Sequence, residues 1–353
     1  MPRIDAFLKL AREQGCSDLH LAVGLPPLLR MNGDIMPIRF RDLAARELEA
    51  YVMEILTPAQ KQRFGEGDDL DFSYVTDEVG RFRANLYRKA TGIGATFRHI
   101  PAQAPNLDSL GLPPVVKTLI EHHQGMVLVT GSTGTGKSTT LAAIIDYINT
   151  HRAVNIISLE DPVEFVHQSK RAQVIQREVG NHVPSYAHGL RNALREDPDV
   201  ILVGELRDVD SMIMAMIAAE TGILVLGTLH TNGAAATVDR IINAFPAMKQ
   251  AQIRAMLSTS LRGVISQQLV RRQDGQGRMA AVEILVNTPA VANLLREGKT
   301  EQLVGTMQSG ALVGMQTLDS ALRRLLDAGR ITGREAYRQA ISKAEFETVR
   351  EQG

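Results

Sequence analysis

The sequence predicts an α/β chain in two parts, a small amino-terminal α+β domain and a larger domain built on a parallel sheet. Three observations carry that expectation. Residues 18–23 and 81–87 alternate polar and apolar side chains with the period of two that a half-buried strand requires. Beyond residue 114, short apolar runs alternate with helical patterns, as in a sheet covered on both faces. A length of 353 residues also exceeds the usual size of one domain.

The elements follow in order. Residues 1–15 place Ile4, Phe7, Leu8 and Ala11 on one face of a short helix, without the basic lead and apolar run of a secretion signal. After the strand at 18–23, the pair Asn32-Gly33 between apolar runs predicts a hairpin turn. In 81–87, Phe82, Ala84 and Leu86 face one side while Arg81, Arg83 and Asn85 face the other. Gly92 and Gly94 punctuate a return strand ending near Arg98, which closes a domain over residues 1–100. Residues 101–114 read as a linker, because their prolines lack a backbone donor and bias their neighbours toward extended geometry.

The second domain, 115–353, shows core strands at 126–130, 155–159, 200–203 and 223–226. Met212, Met214 and Met216 on an intervening helix read as packing residues. From Pro289 onward the pattern is helical, with Leu318, Leu322, Leu325 and Leu326 on one apolar face. His122 and His123, being adjacent, fall on different faces of a helix, and His20 has no second ligand at metal spacing; all three read as structural.

Composition narrows the function classes. Lysine plus arginine equal aspartate plus glutamate at 39 each, which removes the broad basic field of a nucleic-acid binder. The single Cys16 excludes an internal disulfide and a tetracysteine zinc site, and fits a reducing compartment. No run of about 18 apolar residues offers a transmembrane segment.

Three motifs carry chemistry. Strand 126–130 leads into Gly131, Ser132, Thr133, Gly134, Thr135, Gly136, Lys137 and Ser138, followed by Thr139 and a helix with Leu141, Ile144, Ile145 and Ile148 at helical spacing. Glycines let backbone N–H groups converge on phosphate oxygens, and the helix N-terminus adds positive potential. The expectation is an ATP site lined by Ser132 to Thr139, with Lys137 on the β and γ phosphates and Ser138 as a ligand for Mg²⁺. The second motif is the apolar run 199–204 ending in Glu205, where a carboxylate orients Mg²⁺ through water. The third, Glu160-Asp161-Pro162-Val163-Glu164-Phe165, crowds three carboxylates at a strand end; one can be the base for an attacking water, and the same pattern suits a solvated acidic turn.

Over nearly its full length the chain resembles the secretion-superfamily hexameric ATPases, most closely their type IV pilus retraction branch. Residues 160–164 are similar to the family's Asp box, 204–208 to its atypical Walker B and 227–231 to its His box. The resemblance implies a PAS-like first domain, a RecA-like ATPase domain with carboxy-terminal helices, and hydrolysis of ATP to ADP and phosphate. It implies Glu164 as catalytic base, Glu205 as Mg²⁺ organiser and His230 as phosphate sensor. The stretches 80–83 and 97–101 match the region that sends arginines to a neighbouring subunit's ATP, which makes Arg83 and Arg98 the expected pair.

The resemblance further implies a cytoplasmic homohexamer, peripheral to the inner membrane through a platform protein that it turns, so that pilin leaves the fibre during twitching motility. Assembly motors and type II secretion ATPases commonly add an N-terminal domain and a tetracysteine insert, so the short N-terminal region and single cysteine favour retraction. Two departures stand out: Ile223 where the family usually has histidine, and Ala292 where the retraction signature has arginine. They leave open an accessory ring subunit with weak hydrolysis. A DNA-translocating RecA-like motor is a third reading, which the zero net charge disfavours.

Overall fold

Alternation of side chains gives the amino-terminal unit a sheet with one apolar face. The computed structural model describes residues 2–31, 34–100 and 103–351. The chain divides into two units, Met1–Gln103 with Pro162–Val166, and Ala104–Asp161 with His167–Gly353. The first contains α1 (Asp5–Glu13), β1 (Asp18–Ala22), β2 (Leu28–Met31), β3 (Asp34–Pro37), α2 (Ala45–Ile55), α3 (Pro58–Glu66), β4 (Leu70–Thr76), β5 (Gly80–Lys89) and β6 (Gly92–Ile100). Its strands pair antiparallel in the order β3-β2-β1-β6-β5-β4. The expected turn Asn32-Gly33 and the first two linker residues lie outside the described residues.

Leu19, Leu21, Phe82, Ala84, Leu86, Ala95 and Phe97 form a core with Ile4, Leu8 and Ala11 of α1 and with Leu48 and Val52 of α2. Since side chains alternate, the opposite face carries the cross-strand row Arg30, Asp18, Arg98 and Arg83. Helix α3 illustrates local encoding: Thr57 and Gln60 form a capping box, Pro58 opens the helix and Gly67 closes it in the left-handed conformation.

The second unit contains α4 (Val115–Ile120), β7 (Gly125–Thr130), α5 (Lys137–His151), β8 (Asn155–Glu160), β9 (Gln173–Glu178), α6 (Tyr186–Ala193), β10 (Val200–Val203), α7 (Val209–Glu220), β11 (Leu224–Leu229), α8 (Ala234–Asn243), α9 (Ala247–Ser260), β12 (Leu261–Arg271), β13 (Arg278–Val286), α10 (Pro289–Glu297), α11 (Leu303–Ser309), α12 (Leu318–Asp327) and α13 (Gly333–Gln339). Its sheet has the order β13-β12-β7-β11-β10-β8-β9, parallel throughout except for β13. Neighbouring residues along each central strand divide between two cores. Val127, Val129, Ile156, Val200 and Leu226 meet α4 and α5, whereas Met126, Leu128, Ile157, Ile201 and Val225 meet α6 to α10. Burial on both faces is why these strands read as unbroken apolar runs.

The expected α/β class is therefore present, with strands β9, β12 and β13 added to the four read from sequence. One expectation is corrected. His122 and His123 do not lie on a helix, because α4 ends at Ile120 and both follow it in a loop leading to β7. Met212 and Met216 are buried as packing residues, and Leu318 and Leu322 anchor α12 in a separate small core. Among the described residues no helix is long and apolar enough to cross a membrane.

Candidate active site

Parallel strands bring their carboxyl ends to one edge of a sheet, where loops rather than regular elements meet a ligand. At that edge the loop 131–136 follows β7, Glu160 ends β8 with Asp161 directly after it, Gly204 and Glu205 follow β10, and His230 follows β11. Four segments spread over about a hundred residues of sequence are thus assembled by strand order alone.

The phosphate loop is built on glycine geometry. Gly131 has φ +141°, and a Cβ there would come within 2.4 Å of the Gln267 carbonyl oxygen. Gly136 stands at the N-cap of α5 with φ +85°, so Lys137, Ser138 and Thr139 form the first helical turn. Ser132, Thr133, Gly134 and Ser138 are exposed, whereas Lys137 is buried. The Lys137 ammonium donates to the Gly131 carbonyl at 2.8 Å and the Ser132 carbonyl at 3.0 Å. It also stands 3.5 Å from His230 Nδ1. Lysine can only donate, so Nδ1 holds the lone pair and the His230 proton sits on Nε2, which faces a Glu205 oxygen at 3.4 Å.

Glu205 is held from both sides. The Thr228 hydroxyl donates to the Gly204 carbonyl, and the Leu206 N–H donates to the Thr228 carbonyl at 3.0 Å. Its second oxygen accepts from Arg207 Nε at 2.5 Å, and Arg207 also stands 3.6 Å from Asp161. The Glu205 hydrogen bond raises the Arg207 guanidinium above its ordinary value. Burial raises the Tyr186 hydroxyl likewise, with the Asp161 charge adding to it. Lysine, histidine, glutamate and arginine thus form one chain of contacts from the phosphate loop to Asp161.

Sequence reading missed several supports. Ser132 Oγ donates to Asn232 Oδ1 at 3.0 Å, tying the phosphate loop to the loop that carries His230. The Gly233 N–H donates to Ser266 Oγ at 2.8 Å and the Ala234 N–H to Glu283 Oε1 at 2.6 Å. Gln267 bonds both Thr135 and Thr140. Asn232 was findable, being two residues from His230; the others depend on pairings made only by the fold.

Glu164, Arg83 and Arg98 belong to the first unit. Glu164 is half-buried between the buried Val163 and Phe165. Arg83 and Arg98 are Cα partners across β5 and β6; Arg83 bonds Asp71 at 2.6 Å and Arg98 bonds the buried Asp18 at 2.9 Å. Ile223 sits at the entry end of β11, buried, its N–H on the Ala218 carbonyl and its carbonyl on the Gly125 N–H. A strand of six residues spans about 20 Å, so within the chain Ile223 is a strand length from His230 and does not face the phosphate loop. Within one chain this departure therefore changes no group at the phosphate loop.

Glu283 yields a stability prediction. Burial raises its carboxyl above the ordinary 4.5, against the lowering effect of the Ala234 and Leu318 N–H groups. The folded chain then binds this proton more tightly than the unfolded chain, so the contribution is fully present below the unfolded value and is lost as pH rises through the folded one. The thermal midpoint of Glu283→Gln relative to the native chain should increase between pH 4.5 and 7. A difference that stays constant across that range would contradict the assignment.

Comparison with known proteins places the chain in a family. The profile of the Type II/IV secretion system protein family matches residues 4–352. The type IV pilus retraction ATPase PilT of Pseudomonas aeruginosa is 46% identical over 337 residues, covering 96% of this chain and 98% of that protein. A twitching motility protein of Neisseria gonorrhoeae is 47% identical over 314 residues, covering 89% and 84%. A crystal structure of the pilus retraction motor PilT with bound ADP superposes with a TM-score of 0.89 at 42% identity, covering 98% of this chain and 99% of that one. The resemblance drawn from the motifs is borne out: the chain belongs to the type II/IV secretion system protein family and is a nucleotide-binding ATPase of it.

Proposed function

We propose that the chain is the hydrolysing subunit of a homohexameric motor that drives type IV pilus retraction. The observation that carries this reading is the contact chain Lys137, His230, Glu205 and Arg207 at one sheet edge, in a chain similar end to end to a pilus retraction ATPase. Ser132 to Thr139 cradle the triphosphate, and Lys137 neutralises the β and γ phosphates. Glu164 takes the proton of the attacking water, and His230 senses phosphate occupancy through its bond to Glu205. Arg83 and Arg98 of the PAS-like first domain, residues 1–100, reach the ATP held by the RecA-like domain of a neighbouring subunit.

Among the described residues no cluster of three or more histidine, cysteine, aspartate or glutamate side chains forms a metal cage. Mg²⁺ keeps waters and phosphate oxygens and takes only one or two protein ligands. Ser138 would hold it directly and Glu205 through water, and when bound it supplies positive charge to the phosphates. The ring works in the cytoplasm, held at the inner membrane by the platform protein it turns, and acts on the pilin fibre only through that partner.

Deleting the gene in its source bacterium tests the reading. Loss of a retraction motor leaves fibres that extend and do not return, so surface pili should increase while twitching stops. Bald cells would indicate an assembly motor, and unchanged twitching a dispensable accessory subunit.

A further inference from the structure

We infer that Gln267, on the strand beside the phosphate loop, sets the shape of that loop and through it the affinity for nucleotide. Strand β12 runs parallel to β7 with Ser266 opposite Thr130, so Gln267 stands one residue further on, beside the first residue of the loop. It is 2% exposed. Its Oε1 accepts from the Thr140 hydroxyl at 2.8 Å, and its Nε2 donates to the Thr135 carbonyl at 2.7 Å. The orientation of the amide is fixed by chemistry, since a carbonyl cannot donate to Oε1.

The two halves of one side chain therefore grip the loop at Thr135 and the first turn of α5 at Thr140. The loop is moulded to Gln267 at two further points. A Cβ on Gly131 would meet the Gln267 carbonyl oxygen at 2.4 Å, and a Cβ on Gly136 would meet its Nε2 at 2.9 Å. Drawing the Thr135 carbonyl toward β12 turns the Gly136 N–H of the same trans peptide to the opposite side, available to a phosphate oxygen. A neutral amide performs this without adding charge beside the phosphates. A carboxylate would set lone pairs against the Thr135 carbonyl.

The inference rests on nucleotide occupying the phosphate loop and not on the pilus reading. Binding of a fluorescent ADP analogue to the full-length native chain, Gln267→Met, Gln267→Glu and Thr140→Val, at pH 5.5 and 8, tests it, with thermal midpoints recorded without nucleotide. Gln267→Met should weaken binding by about tenfold or more. Gln267→Glu should be equally weak at pH 8 and recover at pH 5.5, where a protonated carboxyl regains the donor to the Thr135 carbonyl. Thr140→Val, which removes only the bond to Oε1, should lose about threefold or more and decides the matter if Gln267→Met does not fold. Binding within about twofold of native in Gln267→Met, or in Thr140→Val where that variant decides, overturns the inference. So does a Gln267→Glu deficit that is the same at both pH values, as a purely structural role would give. A native chain that fails to bind the analogue would instead overturn the nucleotide site itself.

Discussion

Arg98→Ala is expected to lower ATP turnover by about 10³- to 10⁵-fold while leaving ADP affinity within a few-fold, and Arg83→Ala to act in the same direction. A cation brought against the transferring γ-phosphoryl group matters in the transition state more than in the bound state, so the loss should fall on kcat. The structure makes the experiment clean. Arg98 is largely exposed and its partner Asp18 keeps a second arginine, Arg30, at 3.8 Å, so the variant strands no buried carboxylate. The guanidinium of this pair is solvent-exposed, and with Arg30 still beside Asp18 the melting midpoint should fall only slightly. Mixing gives a sharper outcome. Lys137→Ala subunits have a crippled phosphate loop but intact arginines, and Arg98→Ala subunits the reverse. If the arginine acts across a subunit boundary, mixed rings should hydrolyse ATP faster than either parent. Equal loss of binding and turnover in Arg98→Ala, with no gain on mixing, would reject the role.

Glu164→Gln is expected to slow hydrolysis by about 10²- to 10⁴-fold, the range a positioned general base contributes. The amide keeps the size of the side chain and removes its capacity to accept a proton, so nucleotide should still bind and accumulate unhydrolysed. Single-turnover measurement separates this from a binding defect. If Glu205→Gln alone abolished the chemical step and Glu164→Gln left it intact, the assignment of Glu164 as the base would be rejected.

The parts of this chain that were legible in its sequence are those encoded within a few residues. The phosphate loop is a contiguous run between strand and helix, and Glu205 and His230 each close an apolar strand, so position along the chain already implies position at the sheet edge. Strands β9 and β12 were not legible because their polar residues break the apolar signal. In β12, Ser266 and Gln267 are polar because they hold the Gly233 N–H and the phosphate loop, so the function of the strand hides its structure. The bonds from Ser132 to Asn232 and from Thr140 to Gln267 link positions 100 and 127 residues apart, which no local pattern reports. Ile223 shows the converse: a departure from a motif looked chemical until the strand direction placed it at the opposite edge from the phosphates.

The central claim, an ATP site completed by a neighbouring subunit, is tested most directly by ATPase turnover of the purified chain measured against protein concentration, with assembly state followed by light scattering. Turnover per subunit should rise together with ring formation and stay low where light scattering reports monomers. Full turnover by monomers, unchanged as rings form, would contradict it.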